Sequence, residues 1–175
     1  MALQDLLNIS SKKKIGLSEE RVRAIIPAAR EYIAFWREYP DMFVEFLCGS
    51  NPENFTLYFY QRCFLRAAMR HRKIYATFPR GYSKSFLSFL VLMFRCILYP
   101  GAHLFVTTGG KEQAAGIAKE KTDLLCKLIP GLKNELDLSR GKTKTSKDNI
   151  ELLFKNGSIL DVMAARQSSR GKRAN

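Results

Sequence analysis

The sequence is short of acids. Its 175 residues carry 16 Asp and Glu against 29 Lys and Arg, a formal charge of +13. Such an excess points to a polyanionic partner: DNA, RNA or an anionic membrane surface. Histidine is almost missing, with only His71 and His103, far apart. The four cysteines (Cys48, Cys63, Cys96, Cys126) form no C-x-x-C pair. A zinc site built on the usual spacings is therefore excluded. The cysteines read as small apolar fillers of a reducing compartment. No apolar run is long enough to cross a bilayer, since the stretch from Phe86 to Phe94 stops at Arg95. The first apolar residues precede the basic run Lys12 to Lys14, the reverse of a secretory signal, so none is expected. There is no internal repeat. What remains is 46% hydrophobic and 26% charged, the make-up of a soluble domain with a sizeable core.

The pattern changes character along the chain. Residues 1 to about 17 read as an arm. Glu19 and Glu20 suit the first turn of a helix running to Tyr39, with a kink or break at Pro27. Asp41 to Leu47 reads as a short helix closed by Gly49-Ser50-Asn51-Pro52. From Phe55 to His71 the sequence is aromatic, then basic, and Arg62, Arg66 and Arg70 fall on one helix face. That face is either a nucleic-acid stripe or a solvated side opposite Phe59, Cys63 and Ala67. From Ile74 the order becomes strand (74–78), loop, apolar helix (85–98), strand (103–107), turn at Gly109-Gly110, helix (111–128), stop at Pro130-Gly131. Alternation of this kind predicts a parallel sheet with covering helices. A basic loop follows, then Asn149 to Phe154 and Ser158 to Ala164 flank Asn156-Gly157, a two-residue hairpin signal.

The loop between the first predicted strand and its helix carries the chemistry. It reads Phe78-Pro79-Arg80-Gly81-Tyr82-Ser83-Lys84-Ser85. A Lys-Ser pair opening a helix is where phosphate-cradling loops sit. Backbone N–H groups and the helix dipole favour anions, the lysine adds a point charge, and the hydroxyl can reach a magnesium ion. The common G-x-x-x-x-G-K-[ST] pattern would place glycines at Phe78 and Ser83, and only Gly81 is present. A surface turn that happens to carry Lys and Ser is the plain alternative.

The ordered set of features resembles the large terminase subunit of tailed bacteriophages, the DNA-packaging motor ATPase. Leu57 to Gln61 resembles that family's adenine-binding segment. Pro79 to Ser85 resembles its deviant phosphate loop. Val106-Thr107-Thr108 with Lys111 to Ala114 is similar to its second strand and helix. The hairpin followed by Ser169 to Arg173 is similar to the segment before its second acidic motif. The resemblance covers residues 55 to 175. It implies a RecA-like P-loop ATPase core of the α/β class, incomplete, over 55–175, behind a helical N-terminal region over 1–54. It implies ATP and Mg2+ as ligands. Gln61 would read the adenine edge, Lys84 would hold the β and γ phosphates, Ser85 would ligate magnesium, and Pro79, Gly81, Tyr82 and Ser83 would complete the cradle. Arg80 would sense the γ-phosphate, and Arg170 would reach a neighbouring subunit's nucleotide. Implied partners are double-stranded DNA, a small terminase subunit, a portal and further copies in a ring, all in the host cytoplasm and without a membrane.

The family's Arg-Gly segment leads into a strand ending in Asp-Glu, which supplies the magnesium-holding acid and the base. No such pair stands in this sequence, and the nuclease domain has no counterpart. Hydrolysis by this chain alone is expected to be very slow, because losing a base and a charge removes orders of magnitude. A fragment, completed by further polypeptide, is the expectation that follows. Two other readings stand beside the terminase one. A helicase-type RecA ATPase would share Gln61 and the loop. A basic DNA- or partner-binding module would use neither.

Overall fold

Leu, Met and Phe at helical spacing, with few β-branched residues, make the stretch after Ser83 the longest strongly apolar helix among the described residues. The computed structural model describes residues 19–49, 55–108, 111–137 and 149–164. Over these the protein is mixed α/β, mostly helical, with one small sheet. The elements are α1 (Glu19–Glu38), α2 (Pro40–Cys48), α3 (Phe59–Arg70), α4 (Lys84–Leu98), β1 (His103–Thr108), α5 (Lys111–Leu128), α6 (Pro130–Glu135), β2 (Asn149–Leu153) and β3 (Ile159–Ala164). Two compact units divide inside α1, one ending at Phe35 and the other beginning at Trp36. In the first unit α1 continues through Pro27 without a break. The second unit holds all the other elements.

Helix α4 fills the core of that unit. Leu87, Leu90, Met93, Phe94 and Cys96 are fully buried, and Phe86, Phe89 and Val91 nearly so. Each large side chain removed from water contributes about 1.5–3 kcal/mol. Phe43 of α2 meets Phe94 edge to face at 5.0 Å between ring centroids, and Trp36 meets Phe43 and Phe46 at tilted angles, 4.9 and 4.6 Å between centroids. Gly131 of α6 lets that helix touch α2: a Cβ there would lie 2.8 Å from the Leu47 carbonyl oxygen.

The end of α4 is tied down by side chains from both directions along the chain. Its last carbonyls lack intrahelical donors. Asn156 Nδ2 donates to the Cys96 and Ile97 carbonyls at 2.8 and 2.9 Å. Arg37 donates to the Leu98 carbonyl at 3.0 and 2.5 Å, with its guanidinium 4.1 Å over the Tyr99 ring. A cation at a helix C-terminus also meets the favourable end of the dipole. Arg95 in turn donates to the Ala68 carbonyl near the end of α3 at 2.8 Å.

The sheet has the order β1-β3-β2. Strand β1 is parallel to β3, with Leu104 opposite Leu160 and Val106 opposite Val162. Strand β2 is antiparallel to β3, with Ile150 opposite Val162 and Leu152 opposite Leu160. The two-residue period places these apolar residues on one face, and they pack on the core. Asp161 belongs to the other face. It is buried, and its Oδ2 lies 3.2 Å from His103 Nε2.

Several expectations change. The stretch 74–78 forms no strand: it joins no ladder among the described residues, and Ile74 and Tyr75 are exposed. Only Phe78 is anchored, edge to face against Phe64 at 5.2 Å. No described strand pairs with it, and β propensity without a pairing partner does not make a sheet. The sheet is mixed rather than parallel, because β2 runs antiparallel to β3. The hairpin loop has three residues, because Leu153 pairs with Ile159 and the Phe154 N–H donates to the Ser158 carbonyl. The helix over 111–128 ends before Pro130 as expected, but Pro130 then opens a further helix, α6, as its fixed φ allows at a first-turn position. The Gly109-Gly110 turn, the basic loop over 138–148 and the segment from 165 onward lie outside the described residues.

Candidate functional site

The loop before α4 carries two backbone features that its sequence hides. Gly81 has φ +86°, and Ser83 has φ 52° and ψ 27°, the left-handed region. A residue with a Cβ pays about 1 kcal/mol there. Ser83 holds the place where the common phosphate-loop pattern has its second glycine, and it adopts a conformation that glycine favours. The Ser83 carbonyl accepts the Leu87 N–H at 2.9 Å, while its hydroxyl does not cap the helix. The N–H groups of the first turn of α4 have no intrahelical acceptor. They lie at the positive end of a fifteen-residue helix.

A cavity of about 500 Å³ opens here. Its wall includes Pro79, Arg80, Gly81, Tyr82, Ser83, Lys84 and Ser85 from the loop and Gln61 from α3. Phe55 and Phe86 contribute apolar wall and meet edge to face at 5.3 Å. Three residues of α5 close the far side: Lys121, Leu124 and Leu128. The charged residues of the lining are Arg80, Lys84 and Lys121, all cations, with no carboxylate among them. Arg80, Lys84 and Ser85 are exposed. Arg80 and Lys84 make no ion pair among the described residues.

Gln61 is nearly buried at 3% exposure. Its Oε1 accepts the Tyr58 N–H at 2.9 Å, and its Nε2 donates to the Tyr60 hydroxyl at 3.3 Å. These contacts fix the amide plane at the start of α3. One lone pair and one N–H of the amide remain for a ligand. Beside it the rings of Tyr58 and Tyr60 stack, and Tyr60 lies 5.5 Å from Tyr82. Tyr82 and Tyr58 are exposed, and of the three tyrosines Tyr82 is the one in the cavity wall.

The arginine stripe of α3 is occupied elsewhere. Asp41, fully buried in the first turn of α2, takes Arg66 through two hydrogen bonds of 2.8 Å and Arg62 at 3.4 Å. Arg62 also bonds Glu45 at 2.7 Å, and Arg70 pairs with Glu38. Burial alone would push the Asp41 carboxyl up, but Arg66 and Arg62 hold it below its ordinary value. Neither reading of this stripe anticipated that it turns to the protein's own acids, and the core side of α3 is Leu65, Ala68 and Met69, while Phe59 and Cys63 are exposed.

The structure thus brings Gln61 and the residues from Pro79 to Ser85 to one cavity, and Arg170 lies outside the described residues. Sequence reading missed the wall supplied by α5. Its signal was the i, i+3, i+7 spacing of Lys121, Leu124 and Leu128, which shares one helix face. No group of three or more His, Cys, Asp or Glu that could hold a metal ion occurs among the described residues. Compared with models of known protein families the chain matches none, and no curated protein matches it in sequence. No helix among the described residues is long and apolar enough to cross a membrane.

Proposed function

We propose that this cavity binds a nucleoside triphosphate, and that the chain is the ATP-binding portion of a RecA-like ATPase of the terminase type. One observation carries the reading. The left-handed loop, Lys84, Ser85 and the α4 N-terminus share a cavity with Gln61, although Gln61 is more than twenty positions away in sequence. The phosphates would lie along the first turn of α4, with Lys84 and Arg80 as counter-charges. The base would meet the remaining amide groups of Gln61 and the ring of Tyr82. Ser85 is the group in the wall suited to magnesium, which would arrive with the nucleotide and neutralise phosphate charge. The lining offers no carboxylate to activate water, so the reading is of binding, with slow turnover by these residues alone. DNA as the polymer acted on, small-subunit and portal contacts, and assembly into a ring belong to the same reading. The charge of +13 supports the first of these.

Titration with MgATP tests the reading. Binding in the micromolar to low-millimolar range, lost by at least tenfold in Lys84→Ala, is the expected result. No binding by the wild-type chain, or equal binding by the variant, would leave a basic module without a nucleotide site.

A further inference from the structure

We infer that Lys121 is a second phosphate-chain lysine of this cavity, supplied by a different element from the loop. The inference rests on the nucleotide reading and adds to it a residue that determines how many phosphates the site grips. Helix α5 presents two faces here. Ala118, Leu125 and the following Ile129 are fully buried in the core. Lys121, Leu124 and Leu128 lie on the neighbouring face and line the cavity. The side chain of Lys121 is only 24% exposed, so its methylenes are packed while its ammonium reaches an edge. That ammonium rests on Glu120 Oε1 at 2.7 Å, and the Glu120 side chain is 66% exposed.

A pair so open to water holds weakly, because solvent screens it and both side chains are ordered to make it. A phosphate oxygen in a cavity with no carboxylate in its wall is the stronger partner, charge-assisted and less screened. Lys121 can therefore exchange Glu120 for a ligand phosphate at little expense. Lys84 and Arg80 approach a phosphate chain from the loop, and Lys121 approaches it from α5. A chain of three phosphates reaches farther across the cavity than a monophosphate, so it meets cations from both sides, whereas a monophosphate held at the loop does not. The consequence is a preference graded by phosphate number.

The test uses the whole chain and three ligands, MgATP, ADP and AMP, with Lys121→Gln beside Lys84→Ala. Lys121→Gln keeps the length of the stem and removes the charge. It is expected to weaken MgATP about tenfold, ADP about threefold, and AMP within error, with an unchanged melting temperature. Unaltered MgATP affinity in Lys121→Gln, alongside a loss in Lys84→Ala, would overturn the inference and leave the nucleotide site standing. Equal losses for all three ligands would also overturn it, since packing and not charge would then be at work. A wild-type chain that binds none of the three overturns both.

Discussion

Two basic surfaces of this protein look alike in sequence and differ in kind. Arg62, Arg66 and Arg70 recur every four residues on α3, a regular stripe of the sort read as a nucleic-acid face. Arg80, Lys84 and Lys121 are scattered over forty positions and show no period. In the structure the regular set is spent on Asp41, Glu45 and Glu38, and holds α3 to its own protein. The scattered set gathers around a cavity whose wall has no acid. Position relative to carboxylates, not spacing, decides which cations remain available. A buried acid claims its arginines firmly, since leaving it unpaired in the interior is far costlier than leaving an exposed lysine in water.

Arg66→Ala draws the sharpest line between the two surfaces. It removes the two shortest bonds to a carboxylate that has no exposure to water. Loss of one partner of a buried pair costs several kcal/mol. Because the Arg66 side chain is itself 40% exposed, about 2–3 kcal/mol is expected. Urea unfolding should show that loss, while MgATP affinity stays at the wild-type value. Lys84→Ala should give the opposite result: unchanged stability, within about 0.5 kcal/mol, and impaired binding. Similar fingerprints from the two variants would erase the distinction drawn here.

Acid should weaken the first surface and spare the second. The folded Asp41 carboxyl sits below its ordinary value of 3.8. A depressed acid contributes stability that is complete above the unfolded value and is lost as pH falls through the folded one. The Asp41 contribution should therefore fade only below about pH 3.8. Glu135 works with the other sign. Burial pushes its carboxyl above 4.5, against the opposing charge of Lys155, so its ionisation subtracts stability as pH rises past that value. Urea midpoints between pH 2.5 and 6 check this. Asp41→Asn should flatten the acid limb, and an unchanged limb would show that Asp41 gains nothing from its arginines.

Much of this was legible in the sequence, for identifiable reasons. Helix α4 was, because its apolar run is long and closed by Pro100-Gly101. The hairpin was, because Asn156-Gly157 lies between two apolar stretches. Its loop length was not, and neither was the second role of Asn156, whose side chain caps α4. That cap is a contact over about sixty positions that no local pattern encodes. The strand expected over 74–78 failed because strand formation depends on a partner, and local composition says nothing about who stands alongside. In the site, the loop and Gln61 were legible as motifs. Lys121 was not, since one lysine on an amphipathic helix looks like any other until the fold sets its face against a cavity.

The smallest expected effect separates loop geometry from loop charge. Ser83 is the only described residue other than glycine with positive φ. Ser83→Gly relieves about 1 kcal/mol of backbone strain but adds freedom to the unfolded chain, so stability should move by about 0.5 kcal/mol or less. The turn survives, and MgATP binding should be within twofold of wild type. Ser83→Val removes no charge either, yet its branched Cβ disfavours φ near 52° far more strongly than serine does. The loop would then leave the left-handed region, and the first turn of α4 would lose its approach to the phosphates. Binding should fall several-fold while Arg80, Lys84 and Lys121 are all still present. If Ser83→Val binds MgATP as well as Ser83→Gly does, the cations alone suffice, and the left-handed turn is incidental to the site.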